Sequence, residues 1–450
     1  MPVPTRTILR YALSAACCGL TVFLGYYVHR TAFATLLTAY ALLFGLYAGV
    51  TGWQKNRSGA ELRWYTGLGI VLRVLLLFSV PNLSDDFYRF LWDGHLTMAG
   101  IHPFAHPPAY FMQHAVHVPG ITPELFALLN SPEHYTVYPP VCQAIFALAV
   151  WVAPHSLWAG VVVIKLFLLA GEIGTILLLR SADGPLPAGE RHRAGLLYAL
   201  NPLLVLEIVG NCHFEGLMIF FLLAGWQMLR RRRLPAAAGL WGLATATKLL
   251  PPLFLPLVWR WLGWRQGGWF HLLFIGACGV LFLPLLDSQL LMNMLRSIDL
   301  YFQRFEFNAS VYYLAQAVHY WWKGYHYVAI IGPGLGLLTL AGVLWLTKRM
   351  PAQGAVPHDR QTLPGAMLWA SLLYLSCATT VHAWYATVPL ALGLLTTWRF
   401  PVLWSGLIML SYSHYNAGGS AENFWLIGLE YGALWLFIVG EVWMKSHKEP

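Results

Sequence analysis

Charge is what this sequence has least of. Asp, Glu, Lys and Arg make up 10% of its 450 residues, where a soluble domain carries about 25%. With 58% apolar residues and a mean hydropathy of +0.57, too little polar surface remains to cover a globule in water. A soluble enzyme is excluded, and the chain reads as polytopic in a membrane. Cysteine is scarce too. The six (Cys17, Cys18, Cys142, Cys212, Cys278, Cys377) sit mostly within apolar runs, with no CxxC and no His/Cys spacing suited to a metal. They read as small buried hydrophobes, and only Cys142 with Cys212 can meet outside the membrane. There is no heptad, low-complexity tract or clear internal repeat, and no loop is long enough for a separate soluble domain. No cleavable leader is evident either. The first apolar run, 11–27, follows Arg6 and Arg10 and leads almost directly into a second, so it reads as a retained helix.

What is abundant is apolar sequence. Runs at 11–29, 32–52, 64–80, 157–180, 193–209, 216–230, 234–263, 269–287, 326–347, 363–381, 384–398, 402–414 and 424–443 are long enough to span, or nearly so. The run 234–263 is broken by Pro251-Pro252 and reads as a helical hairpin, for about 14 crossings in a single all-α domain over 1–450. Most of the 28 Lys and Arg fall in connections on one side. By the positive-inside rule that side is cytoplasmic, with both termini, and 81–156 and 288–325 are long external segments. The net charge of +9 is thereby explained by topology, without nucleic acid. One condition attaches: the apolar piece 143–153 must lie along or dip into the outer surface, because a crossing there would invert every later loop. The 21 Trp, 22 Tyr and 24 Phe suit interfacial belts and sugar-stacking platforms.

The chemistry concentrates after the apolar run ending near Val80. Ser84-Asp85-Asp86-Phe87-Tyr88-Arg89 leads into Trp92-Asp93-Gly94. Adjacent carboxylates at a membrane surface are costly unless they face water or a cation. If 84–93 is helical, Arg89 can pair with Asp86 or Asp93 and hold an aspartate ionised, ready to accept a proton. The bland alternative is a capped helix start, with Ser84 as cap and acids favoured in the first turn.

These residues, followed by Gly100-Ile101-His102-Pro103-Phe104 and Tyr135-Thr136-Val137-Tyr138-Pro139-Pro140, resemble the first external loop of the GT-C superfamily of membrane glycosyltransferases, nearest to bacterial polyprenyl-phosphate-mannose-dependent members. The resemblance continues through Asn201-Pro202-Leu203, Glu207, Gly210 to Gly216, Thr247-Lys248 with Pro251-Pro252, and His382-Ala383-Trp384-Tyr385. It covers most of 64–400. His102, Phe104, Glu215 and Ala383 depart from the commoner family residues, and the first two apolar runs, within 1–63, are an extra hairpin relative to the usual family core. The resemblance implies a GT-C-like bundle whose first external loop carries juxtamembrane helices. It implies an inner-membrane mannosyltransferase that inverts the anomeric centre, with the active site on the outer face. It further implies a polyprenyl-phosphate sugar donor, a lipid or glycan acceptor, and an aspartate base. Asp86 is the expected base, with Asp85 second; Asp85 or Asp93 would orient the acceptor.

Transfer from a lipid phosphate needs one base for the acceptor hydroxyl and cations for the departing phosphate, unlike hydrolysis with two flanking carboxyls. Arg89, Lys248 and Arg304 are the candidate phosphate ligands. Lys248, inside an apolar run beside Pro251-Pro252, either meets an anion or snorkels to the interface. Substrate-lining candidates are Asp93, His102, His213, Glu215, Tyr301, Glu306, Asn308, His382 and Tyr385. For 301–308 the alternative is an interfacial helix with an internal Arg–Glu pair. Lys165 and Glu172, seven apart in one run, read as structural partners. No metal site is assigned; a divalent cation, magnesium or manganese, stays open as a cofactor. The competing function classes are a flippase for a lipid-linked sugar, for which no repeated halves are seen, and an outer-face polymerase or ligase using lipid-diphosphate donors.

Overall fold

The protein is described here by a computed structural model covering residues 3–52, 59–181, 186, 188–287, 292–293, 305–324, 328–351, 362–416 and 419–447. It is helical. Strand structure among the described residues is a two-residue antiparallel ladder, β1 (Tyr415–Asn416) with β2 (Gly419–Ser420), and one parallel bridge between Phe307 and Thr380. The helices of the first half are α1 (Val3–Tyr26), α2 (Phe33–Gly52), α3 (Gly59–Leu75), α4 (Asp86–Met98), α5 (Pro108–Gln113), α6 (Pro123–Ala127), α7 (Pro140–Val152), α8 (Leu157–Arg180), α9 (Ala188–Leu200) and α10 (Pro202–Leu204). There follow α11 (Glu215–Arg230), α12 (Leu234–Thr245), α13 (Leu255–Leu262), α14 (Trp264–Phe282), α15 (Val311–Lys323), α16 (Val328–Arg349), α17 (Thr362–Cys377), α18 (Thr387–Gly393), α19 (Phe400–Leu407) and α20 (Phe424–Ser446).

Six helical stretches among the described residues are long and apolar enough to cross a membrane, or seven if the bent pair Glu190–Leu200 and Pro202–Gly210 counts as one span. This is fewer than the about 14 crossings that apolar runs suggest. The reason is local. Proline removes a backbone donor and breaks helices, and several runs are interrupted this way. Asn201-Pro202 bends one run by 50° into the π-helical segment Val205–Gly210. Lys248 to Pro252 splits another into α12, a 3-10 turn and α13. The runs near 384–398 and 402–414 become 3-10 turns joined to the short α18 and α19.

The apolar piece 143–153 falls in α7. Its 13 residues extend about 20 Å, short of a hydrocarbon core of about 30 Å. Its first turn is held at one end of the bundle, where the Val141 amide donates to the Ala246 carbonyl (2.9 Å), two residues before Lys248. Trp158, at the start of α8, donates to the Phe78 carbonyl (2.9 Å), just past α3 and ahead of the Asp85-Asp86 loop. α7 packs on α4. The contact is close at Gly94, where a Cβ would sit 2.5 Å from the Phe146 carbonyl oxygen; Phe90 stacks on Phe146 (4.6 Å between centroids).

Buried charges fix the frame beneath this end. Arg73 and Glu172, both fully buried, pair at 2.7 Å, and the Tyr198 hydroxyl donates to Glu172 (2.6 Å), joining α3, α8 and α9. Lys165 does not partner Glu172. Its ammonium donates to the Leu76 and Ser79 carbonyls and the Ser79 hydroxyl (2.6–2.9 Å), capping the end of α3. Terminal helix carbonyls lack intrahelical donors and carry partial negative charge, so a cation there answers both needs. Two asparagines then clasp three connections. The Asn211 side chain accepts from the Asn82 and Leu83 amides (3.2 and 3.0 Å), while the Asn82 side chain donates to the Leu24 and Val28 carbonyls of the α1–α2 turn.

Candidate active site

Asp85 and Asp86 open α4 but face different partners. Asp85 occupies the cap position with no capping bond from its side chain, because its carboxylate is ion-paired with Arg30 from the α1–α2 turn. The Ser84 hydroxyl accepts from the Asp86 amide (3.3 Å). Asp86 is part-exposed. One carboxylate oxygen accepts from the Asn130 side chain (2.8 Å), the other from the Tyr138 hydroxyl (3.3 Å). Burial raises its pKa above the usual 3.8; Asn130, the Lys248 charge and Tyr138 oppose that, and Asp85 adds to it.

Tyr138 connects this carboxylate to a cation. While its hydroxyl meets Asp86, its ring lies 5.8 Å from the Lys248 ammonium. Lys248 follows α12 in the Pro-Pro break and pairs with Glu215 at the start of α11 (2.9 Å). Burial alone would lower the lysine pKa; the Glu215 carboxylate, by charge and hydrogen bond, together with Cys142 and Asp86 offsets this, and the net direction is upward. The ammonium stays charged and a quarter exposed.

A stack of rings flanks this pair. Trp384 is sandwiched between His213 (3.6 Å) and His382 (4.3 Å), and Phe307 covers the outer side of His382 (4.7 Å). Burial, then the Lys248 charge, then His414 push the His382 pKa down to about 3. Burial, Lys248 and His382 lower that of His213 in the same way. Both imidazoles are neutral at pH 7. His382 Nδ1 and His213 Nε2 are buried without a hydrogen bond, the latter 3.4 Å from Glu207 Oε2. Glu207 lies in the π-helical segment and accepts from the Tyr412 hydroxyl (2.7 Å). Tyr385 sits edge-on to His382 (5.5 Å).

Other candidate residues are placed elsewhere. Arg89 pairs with Asp93 four residues on (2.8 Å) and donates to the His134 carbonyl (2.9 Å); its second terminal nitrogen is buried without a partner. Asp93 is fully buried and also accepts from Thr136 and Gln143, so it pins the 131–143 loop to α4 instead of opening onto the site. His102 bonds the Leu285 carbonyl after α14 (3.0 Å). Glu306 accepts from Tyr312 (2.6 Å) and Gln316 (3.1 Å) of the adjoining α15. Asn308 is fully buried, with a backbone φ of 46°. Its side chain donates to Glu430 (3.2 Å), its amide to Glu422, and its carbonyl accepts from Tyr431. Tyr301 and Arg304 lie outside the described residues. Among the described residues there is no cluster of three or more His, Cys, Asp or Glu able to hold a metal ion.

Reading the sequence missed Arg30, Asn130, Glu207, Trp384 and Tyr415 as site neighbours. Glu207 and Trp384 stand inside the motifs already singled out, as does Tyr138. For Arg30 the available signal was its short turn on the same side as Asp85. Asn130 carries none.

Comparison with known proteins places the chain in a family. Residues 8–263 match the family model described as alpha-(1->6)-mannopyranosyltransferase, N-terminal domain. The chain is 27% identical over 167 residues to alpha-(1->6)-mannopyranosyltransferase B of Corynebacterium glutamicum, covering 37% of this chain and 27% of that protein. It is 26% identical over 206 residues to alpha-(1->6)-mannopyranosyltransferase A of the same organism (44% and 39%). It is 28% identical over 191 residues to alpha-(1->6)-mannopyranosyltransferase A of Mycobacterium tuberculosis (42% and 35%). The matched stretches thus span well under half the length of each relative. The family match, however, takes in more than half of the 450 residues, Arg30, Asp86, Glu215 and Lys248 among them, and the chain belongs to the alpha-(1->6)-mannopyranosyltransferase N-terminal-domain family.

Proposed function

We propose that this protein transfers a mannosyl unit from a polyprenyl-phosphate-linked donor to a hydroxyl of a lipid or glycan acceptor, at the outer face of the membrane. The observation that carries the reading is Tyr138, which touches a part-exposed, hydrogen-bonded carboxylate, Asp86, at its hydroxyl and an ion-paired ammonium, Lys248, at its ring. That is a base and an anion ligand within one side chain of each other. Family membership supports mannose as the sugar.

In one step the acceptor oxygen attacks C1 of the sugar and its proton passes to an Asp86 oxygen. The bond from C1 to the phosphate oxygen breaks, and its electron pair leaves with the lipid phosphate. Lys248 takes up the charge developing there, the kind of fixed electrostatic aid worth about 3 kcal/mol in other enzymes. The phosphate needs no proton to depart, so one carboxylate suffices. The relatives' names specify an α product. A direct displacement inverts, so an α product requires a β-linked donor. The neutral His213 and His382 beside Trp384 supply a polar aromatic wall for the sugar.

The test is transfer of labelled mannose from polyprenyl-phosphate mannose by purified protein in detergent, where a flippase would yield no product. Asp86→Asn keeps the Asn130 and Tyr138 neighbours and is expected to fold and lose transfer; near-normal turnover would remove Asp86 from the mechanism.

A further inference from the structure

The α1–α2 turn precedes the motifs that begin near Ser84, yet it reaches Asp85, the neighbour of the candidate base. Arg30 is held there from three sides. Its backbone amide donates to the Asn82 carbonyl (3.3 Å), its guanidinium is ion-paired with Asp85, and the same group lies 4.8 Å over the ring of Tyr415 on β1. The turn itself is fastened by the Asn82 side chain on the Leu24 and Val28 carbonyls, and Asn82 by Asn211. The arginine therefore arrives on a braced backbone, not as a loose surface charge.

We infer that Arg30 is a positioning residue for Asp86: by pairing with the Asp85 carboxylate it offsets part of the like charge beside the base and leaves Asp86 as the one of the two not held in an ion pair, open to the acceptor's proton. This rests on reading Asp86 as the base. Without a counter-ion, two adjacent carboxylates push one another's pKa up, and the pair would share a proton in the range where the base must be empty.

The groups that set the Asp86 titration come from every element around it. Asp85 precedes it on α4. Asn130 and Tyr138 contact it from the loop. Lys248, with Glu215, faces it from the break after α12, and Tyr415 from β1. Arg89 and Asp93, further along α4, neutralise each other. Of these, Asp85 alone adds negative charge without a second acid in the way, and Arg30 is its partner.

The test needs no knowledge of the substrate. A hydrophobic carbodiimide adds only to protonated carboxyl groups. Peptide mass spectrometry of the full-length protein in detergent, labelled across a pH series, gives the protonation midpoint of Asp86 and the reactivity of Asp85. In Arg30→Met the Asp86 midpoint is expected to rise by about one pH unit and Asp85 to become reactive. Arg30→Lys should keep the wild-type midpoint, and Arg30→Met with Asp85→Asn should return to it, because the like charge is gone. If Arg30→Met does not fold, Asp85→Asn alone serves, since the freed arginine should lower the Asp86 midpoint. An Asp86 midpoint unmoved by Arg30→Met, or moved equally in the double variant, would overturn the inference. In the transfer assay the acid limb of the rate profile should move with the midpoint, while the rate at high pH changes little. Labelling that behaves as expected in a wild-type protein that transfers no mannose would leave the Arg30–Asp85–Asp86 arrangement standing and sink the mannosyltransferase reading instead.

Discussion

Replacing Lys248 by methionine separates holding a charge from using it. The ammonium is 2.9 Å from Glu215, whose side chain is 5% exposed, while Lys248 itself is 25% exposed. Stranding one partner of a fully buried pair costs about 3–5 kcal/mol. Water at the lysine reduces this, and about 2 kcal/mol is the expected loss. If Lys248 also binds the leaving phosphate, transfer falls by about 10²–10³ on top of any folding defect. The companion variant Lys248→Met with Glu215→Gln removes the stranded carboxylate. Its denaturation midpoint in detergent should recover to near the wild type, while its initial rate at saturating donor stays down about 100-fold. Recovery of transfer together with stability in the double variant would show Lys248 to be no more than the counter-ion of Glu215, and the phosphate role would fall.

Other outcomes follow from the same geometry. Asp86 has a raised pKa in the folded protein, so the native state binds its proton more readily than the unfolded chain. Stability from this group is then greatest at low pH and falls as pH rises from 3.8 through the raised value. Asp86→Asn should therefore melt higher than the wild type at pH 7, with the gap closing toward pH 4, and a lower melting point at pH 7 would contradict this. The wild-type transfer rate should fall as pH drops through the raised Asp86 pKa, above 3.8, as the base takes up its proton; a rate unchanged across that range would argue against this base. Asp93→Leu leaves the buried Arg89 uncompensated and should cost about 3–5 kcal/mol, read as a large drop in melting temperature; a mild effect would mean water reaches Arg89. Gly94→Val places a Cβ against the Phe146 carbonyl, so α4 and α7 must part, and both melting temperature and transfer should drop; normal values for both would mean α7 shifts freely.

Local chemistry was legible in the sequence and long-range closure was not. Asp85-Asp86, Lys248 at its proline break and the His382-Trp384-Tyr385 turn stand out because each breaks an apolar pattern within a few residues. Arg89 was readable as an ion-pair partner because α-helical spacing limits it to Asp86 or Asp93. What the pattern hides is which carboxylates are consumed by packing. Asp93 looks like an exposed acid until the 131–143 loop folds onto it, and Asn308 looks like a sugar ligand until Glu430 arrives from α20. Lys165 and Glu172 share a helix face, yet Lys165 caps α3 and Glu172 pairs with Arg73, because α3 and α9 pack there. Fewer long helices than apolar runs are found among the described residues, in part because Asn201-Pro202 and Pro251-Pro252 cut runs that composition alone joins.

The ring of Tyr415 over Arg30 has a consequence for the order of biosynthesis. Asp86, Lys248 and Arg30 have all been made by residue 248, but the tyrosine that closes over Arg30 trails by 167 residues (415 − 248), or about 8–33 s at a ribosomal pace of about 5–20 residues per second. During that interval the half-made chain already displays its acid and its cations with the last wall missing. The contact that covers Arg30 can therefore form only after most of the chain has been made.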